Sequence, residues 1–291
     1  MKKPMLIAFA DEASPTLDGQ IVALLRNGME GIELRNVDGE NVSDISLDKA
    51  RAVRRRLDDA GLITWSIGSP LGKIDLVSDD FPAHLDKLRH TVDIARVLGA
   101  ENIRMFSFYY PVGGNPASYR DAVMERLHRM VAVCAGSGVT LCHENEKGIY
   151  GDVAVRCLDI HTSVPELAGI FDPANFIQCG QDTAEAWRLL KPYIKYMHIK
   201  DALADGTVVP AGHGIGNVGA IVRDFLESGD AKVVLQGGAA LTLEPHLRVF
   251  NGLEKLERPG ERPAMPYTYE SGDAAFDAAA AALRVLLNRE D

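Results

Sequence analysis

Four short apolar runs in this chain each close on a residue able to ligate a cation. Val139-Thr140-Leu141-Cys142 leads into His143-Glu144-Asn145-Glu146-Lys147, and Gly169-Ile170-Phe171 into Asp172. Tyr196-Met197 runs into His198, and Leu241-Thr242-Leu243 into Glu244. An apolar, β-prone run ending in a carboxylate is expected of a buried strand that delivers an acid to the open end of a sheet. Buried carboxylates held together repel one another and take up protons unless a counter-ion is present. Three of them with one imidazole form a donor set suited to Mn²⁺, Mg²⁺, Co²⁺ or Zn²⁺. Each residue also has a plainer reading. Glu144 could be a solvated strand end, Asp172 a cap before Pro173, His198 a hydrogen-bonded core histidine, and Glu244 a loop carboxylate before Pro245. The recurrence favours a shared site, because four independent plain readings would otherwise have to hold at once.

Further residues are placed to assist. Glu146 shares the pleat parity of Glu144, so it is an alternative ligand or a partner for a substrate hydroxyl, and the choice between the two stays open. Lys200 and His246 lie two residues beyond His198 and Glu244, where they could bind substrate oxygens or support the ligands. Arg104, Ser107, Glu33, Arg35 and Ser69 could line the same cavity, whereas His143, on the opposite parity from Glu144, reads as structural. Gly214-Ile215-Gly216-Asn217-Val218-Gly219 has GxGxxG spacing, but the strand before it and the acid about 20 residues after it that a dinucleotide fold requires are not found. Its glycines would instead let backbone N–H groups approach a substrate phosphate, or serve a loop needing positive φ.

The elements that must position these residues alternate along the whole chain. Strands are expected at Met5 to Phe9, Gly31 to Arg35, Leu62 to Ile67 and Asn102 to Phe106, then at the runs ending in Glu144 and Asp172, at Lys195 to Ile199, and at Leu241 to Glu244. Helices are expected from Ser14-Pro15 to Gly28, Ser46 to Ala60, Phe81 to Leu98, Pro116 to Ala135, Val153 to His161, Asp182 to Leu190, Val218 to Glu227 and Ala274 to Leu287. Asn36 to Val42 reads as a polar loop, and Gly68 to Lys73 as a glycine-bracketed loop that lets backbone approach a ligand. Eight strand–helix units without a compositional break point to one (β/α)₈ barrel over residues 1–291, in which strand C-terminal ends share one cavity. Asp230 to Gly238, an extra strand or a loop, and the charged, proline-rich Leu253 to Glu270 fit the repeat poorly.

Composition narrows the function. The 291 residues are 46% hydrophobic and 25% charged, a globular balance, and the formal charge of −10 argues against a nucleic-acid backbone as partner. Cys134, Cys142, Cys157 and Cys179 are too sparse for a disulfide framework or a CxxC zinc site and read as free thiols. The start has no signal-peptide pattern and no stretch approaches the roughly 18 apolar residues of a membrane span, so a cytoplasmic location is expected.

Glu144-Asn145, Asp172-Pro173-Ala174-Asn175, His198-Ile199-Lys200-Asp201 and Leu243-Glu244-Pro245-His246-Leu247 resemble the sugar phosphate isomerase/epimerase family, the xylose-isomerase-like barrels. Asp11-Glu12-Ala13-Ser14-Pro15 and Ile32-Glu33-Leu34-Arg35 resemble that family's first two strand ends, so the likeness covers almost the whole chain. The resemblance implies a divalent-metal-dependent isomerase or epimerase with ligands Glu144, Asp172, His198 and Glu244. It further implies that Glu144 and Glu244 act as acid and base around a metal-stabilised enediolate, and that the chain forms a homodimer. The substrate would be a sugar, a sugar phosphate or a related polyol acid. Two alternatives differ in kind: a sugar-binding barrel without turnover, and an endonuclease that cuts at abasic sites with several zinc ions. The second needs more histidines than the eight present and a basic track that an acidic chain lacks.

Overall fold

The computed structural model describes residues 3–227, 239–250 and 269–288. Eight parallel strands close into a barrel: β1 (Met5–Ala8), β2 (Gly31–Leu34), β3 (Ile63–Ile67), β4 (Asn102–Met105), β5 (Thr140–Glu144), β6 (Ala168–Phe171), β7 (Ile194–Ile199) and β8 (Ala240–Leu243). Each pairs with the next, and β8 returns to β1 with Met5 opposite Ala240 and Ala8 opposite Leu243, which leaves no barrel edge open. Around it run α1 (Leu17–Arg26), α2 (Leu47–Asp59), α3 (Phe81–Leu98), α4 (Arg120–Cys134), α5 (Ala154–Ser163), the short α6 (Pro173–Gln178), α7 (Thr183–Leu190), α8 (Val218–Glu227) and α9 (Gly272–Asn288). The expected (β/α)₈ barrel is therefore the fold observed. The Asp230 to Gly238 segment, and Leu253 to Glu270 as far as residue 268, lie outside the described residues. Among the described residues no helix is long and apolar enough to cross a membrane.

Local chemistry sets most boundaries. Asp80 accepts from Ala83 N–H to open α3, Pro82 occupies its first turn, and Gly99 at φ 74° closes it. Ser46 caps α2 through Lys49 N–H. Two expectations are corrected. The first helix begins at Leu17 with Thr16 as its cap, not at Ser14-Pro15, because Ala10–Glu12 first form a 3₁₀ turn and the Ser14 hydroxyl instead bonds Thr16. The polar loop is a small hairpin, Asn36–Val37 against Glu40–Asn41, turning at Asp38 (φ 51°) and Gly39 (φ 81°), the positive-φ pair that Asp-Gly favours.

The barrel separates two cores. The larger lies between strands and helices; inside the barrel Ile7, Cys142, Ala168, Ile170, Tyr196 and Ala240 form an apolar floor. Side chains alternate along a strand, so the residue two places beyond a floor residue points the same way. Cys142 leads to Glu144, Ile170 to Asp172, Tyr196 to His198, and Ala240 through Thr242 to Glu244. His143 falls on the other side, where its ring bonds the Ser107 hydroxyl at 3.0 Å and packs edge-on to His161. All four cysteines are free thiols, three of them buried and Cys179 half-buried.

Candidate metal centre

One ligand atom from each of Glu144, Asp172, His198 and Glu244 lies within 4.8 Å of the others, and all four residues are buried. The strands place them, and three asparagine contacts fix how β5 and β6 meet. Asn145 donates to the Asp172 carbonyl and accepts from Asp172 N–H, both at 2.9 Å, while Asn175 donates to the Asn145 carbonyl at 2.9 Å. Asp172 divides its two oxygens between two tasks. Oδ1 caps α6 by accepting from Asn175 N–H at 3.0 Å, and Oδ2 turns into the cluster. Cap and candidate ligand, set against each other in the sequence, are here two oxygens of one carboxylate.

The cluster already contains cations of its own. Lys200 Nζ lies 2.8 Å from Asp172 Oδ2 and 3.0 Å from Glu244 Oε2, and Arg104 lies 3.2 Å from Glu144 Oε2 and 3.6 Å from Glu244 Oε1. Lys200 Nζ and Asp172 Oδ2 thus form a buried ion pair, and Oδ2 accepts no further hydrogen bond. Burial pushes the Asp172 carboxyl up to about 7; Lys200 pulls it down, and Glu244 and Glu144 add to the rise. Burial acts against the charge on His198 and Lys200, yet the surrounding carboxylates hold both well above their usual ranges. Burial likewise opposes ionisation of Glu244, and Lys200 with the two nearby histidines outweighs it. The carboxylate charge that Arg104 and Lys200 offset in part is charge a divalent cation would also offset. The converging donor atoms fit such an ion, which Glu144, Asp172, His198 and Glu244 would hold.

Below the cluster, His198 turns Nδ1 to Glu144 Oε1 at 2.8 Å and Nε2 to Glu33 Oε2 at 3.2 Å. Glu33 is also bonded by the Tyr196 hydroxyl at 2.8 Å, and Tyr196 meets the Ser66 hydroxyl at 3.1 Å. Beside the cluster, Arg35 makes a two-point pair with Asp11 at 2.9 Å and reaches Glu12 at 3.1 Å and Glu244 at 3.2 Å. Phe9 and Phe250 each lie 4.5 Å from its guanidinium. Burial, more than Arg35 can offset, raises the Glu12 carboxyl to about 8. His246 holds φ 44°, an unusual conformation for a side-chain-bearing residue, and brings its ring 3.4 Å from Glu244; Glu12 accepts its backbone N–H at 2.6 Å.

Above these groups lies a narrow cleft lined by Arg104, Glu144, Glu146, Lys200, Glu244, His246, Lys73, Asn175, Gln178 and Val208. Glu146 stands there, 2.9 Å from Lys73, rather than in the four-ligand group. Two expectations on loops are corrected. Ser69 does not line the cleft: its hydroxyl donates to the Arg104 carbonyl at 2.5 Å and accepts from Leu71 N–H at 3.2 Å. In the Gly68 to Lys73 loop the close backbone approach is made by Gly72 to Phe106, where a Cβ would sit 1.9 Å from the carbonyl oxygen. The later glycine loop is also taken, since Gly212, Gly214 and Gly216 donate their N–H groups to the Asp201 carboxylate at 2.9, 3.0 and 2.9 Å. The anion in that nest is the protein's own. Asn145, Asn175, Lys73, Gln178, Val208 and Tyr196 were not singled out from the sequence. Only the asparagines carried a signal, as partners within the Glu144-Asn145 and Asp172 to Asn175 motifs.

Residues 21–236 match the family model described as xylose isomerase-like TIM barrel. The chain belongs to that family. Among curated proteins, an uncharacterised Escherichia coli protein, YihM, is 23% identical over 191 residues, 66% of this chain; the matched stretch spans about half of that relative, 53% of its length. Among solved structures, the probable 3-DHS dehydratase AsbF of Bacillus anthracis superposes with a TM-score of 0.73 at 17% identity, covering 99% of this chain and 100% of that one. A D-psicose 3-epimerase in the presence of D-fructose gives 0.72 at 16%, covering 97% of each chain. The IolI protein with a bound zinc atom gives 0.71 at 13%, covering 97% of this chain and 98% of that one. At these identities the likeness is one of fold.

Proposed function

We propose that the protein is a divalent-metal-dependent isomerase or epimerase of a small polyhydroxy ketone, a sugar or a sugar phosphate. The observation that carries this reading is the convergence of Glu144, Asp172, His198 and Glu244 beneath a cleft lined by polar side chains. A bound divalent ion would supply Lewis-acid polarisation of a substrate carbonyl and of the charge that develops beside it. Glu144 and Glu244 then flank the reacting carbons, one accepting the proton from carbon and the other returning it, to the neighbouring carbon for isomerisation or to the opposite face for epimerisation. Arg104 and Lys200 hold these carboxylates in place. Glu146 with Lys73, and His246 at the other side, offer hydrogen bonds to substrate hydroxyls. The fold neighbours include a protein described as an epimerase and one described as a probable dehydratase, both consistent with chemistry that begins by removing a proton. On the family resemblance the working form is a homodimer.

The test is metal analysis of the purified protein followed by a panel of ketoses in D₂O. Exchange of one substrate C–H, lost in Glu144→Gln and in Glu244→Gln, is the expected result. Tight sugar binding with no exchange would replace this reading with that of a binding protein.

A further inference from the structure

We propose that Glu33, on the far side of the barrel from β7, is the positioning residue that fixes which nitrogen of His198 faces the ion. The inference rests on the metal-centre reading above. A neutral imidazole has one N–H and one lone pair, and the bond made by one nitrogen decides the role of the other. His198 Nε2 points to Glu33 Oε2 at 3.2 Å, and Nδ1 points to the side where Glu144 and Glu244 converge. Glu33 can only accept when ionised, so the Nε2 proton stays on Nε2 and the lone pair of Nδ1 is left for the cation.

Glu33 is itself held rigidly. Its other oxygen accepts from the Tyr196 hydroxyl at 2.8 Å, and Tyr196 is backed by Ser66 at 3.1 Å, a chain of bonds crossing the barrel interior from β3 through β7 to β2. The residue is wholly buried and does not line the cleft, so it has no path to substrate. Phe9 stands edge-on to the His198 ring at 5.2 Å and limits its tilt, which leaves the choice of nitrogen to Glu33.

Glu33→Gln and Tyr196→Phe test this with metal affinity, read by chelator competition with Zn²⁺, and with ¹H–¹⁵N NMR of the His198 ring in the zinc-loaded protein. In the wild type the ring should carry its proton on Nε2 and the metal-shifted resonance on Nδ1. Glu33→Gln should bind zinc about 10–100-fold more weakly, the usual cost of losing such an outer partner. Tyr196→Phe should lose less, in the same direction. Unchanged zinc affinity in a folded Glu33→Gln overturns the inference and leaves the proposed function standing. A wild-type ring that binds zinc through Nε2 overturns it without any variant, should Glu33→Gln fail to fold. A wild type that binds no zinc at all overturns both.

Discussion

Two neighbouring groups at the barrel mouth have the same kind of composition and opposite solutions to the same electrostatic problem. Glu12, Glu244 and His246 form a second set whose ligand atoms converge within the same 4.8 Å as Glu144, Asp172, His198 and Glu244. On the first side the chain supplies the cation itself: Arg35 reaches Asp11, Glu12 and Glu244, approaches His246 at 3.4 Å, and is clamped by two aromatic rings. A guanidinium that meets all three members of that set leaves no room for an ion. On the other side Lys200 pairs with Asp172 and Glu244, and Arg104 with Glu144 and Glu244, and neither side chain meets all four members. Convergence of ligand-type residues is thus a poor guide by itself; what distinguishes a metal centre from an ion-pair knot is whether a side chain already fills its middle. The shared member, Glu244, ties the two together, with one oxygen toward Arg35 and the other toward Lys200.

The largest expected effect falls on the filled group. Arg35→Met should cost about 3–5 kcal/mol or prevent folding, because it strands buried carboxylates without their partner. Urea unfolding measures it, and a variant as stable as wild type would show that Arg35 is not what balances that side. Asp172→Asn should cost less. Asn keeps an oxygen for the α6 cap but removes one of the two carboxylates paired with buried Lys200, so stability without metal should fall, by less than for Arg35→Met because Glu244 still pairs with that lysine. Zn²⁺ or Mn²⁺ at about a hundredfold over its dissociation constant should stabilise the wild type by about 2.7 kcal/mol and leave Asp172→Asn unmoved. Equal stabilisation of both would place the ion elsewhere. Calorimetric titration should also return one ion per chain, and a second at the Glu12 group would break the comparison outright.

The contrast was only half legible in the sequence. The strand ends were, because period-two alternation carries the floor residues Cys142, Ile170 and Tyr196 directly to Glu144, Asp172 and His198. The strand–helix repeat was legible too, and the expected bounds of α3 and α8, Phe81 to Leu98 and Val218 to Glu227, are those observed. Partnership was not legible. That Arg35 meets every member of one group while Lys200 and Arg104 divide the other between them depends on distances across the barrel between residues far apart in sequence. Asp201 shows the same limit. Its glycine loop has the spacing of an anion site, and nothing in that spacing tells that the anion is a carboxylate eleven to fifteen residues earlier in the same chain. Glu144 and Glu146 share parity in the sequence, but Glu144 ends β5 and Glu146 lies beyond it.

The smallest predicted effect sets the pH at which these comparisons can be made. His84 belongs to neither group; its Nε2 accepts from Gly72 N–H at 2.9 Å, so the ring must be neutral at that nitrogen. Burial, reinforced by Lys87 and Arg126 and only partly opposed by Asp79, lowers it from 6.5 to about 4. Between those values the unfolded chain binds a proton that the folded chain refuses. The contribution is therefore fully present above about pH 6.5 and is lost as pH falls toward 4. From pH 6.5 to about 5.5 the loss should be about 1 kcal/mol. His143 and His161 are lowered by burial in the same sense and steepen it. His84→Gln keeps an acceptor for Gly72 and cannot titrate, so its unfolding free energy should fall less than that of the wild type over this interval. Parallel pH profiles for the two proteins would show that His84 does not carry the acid sensitivity and would leave it to His143 and His161.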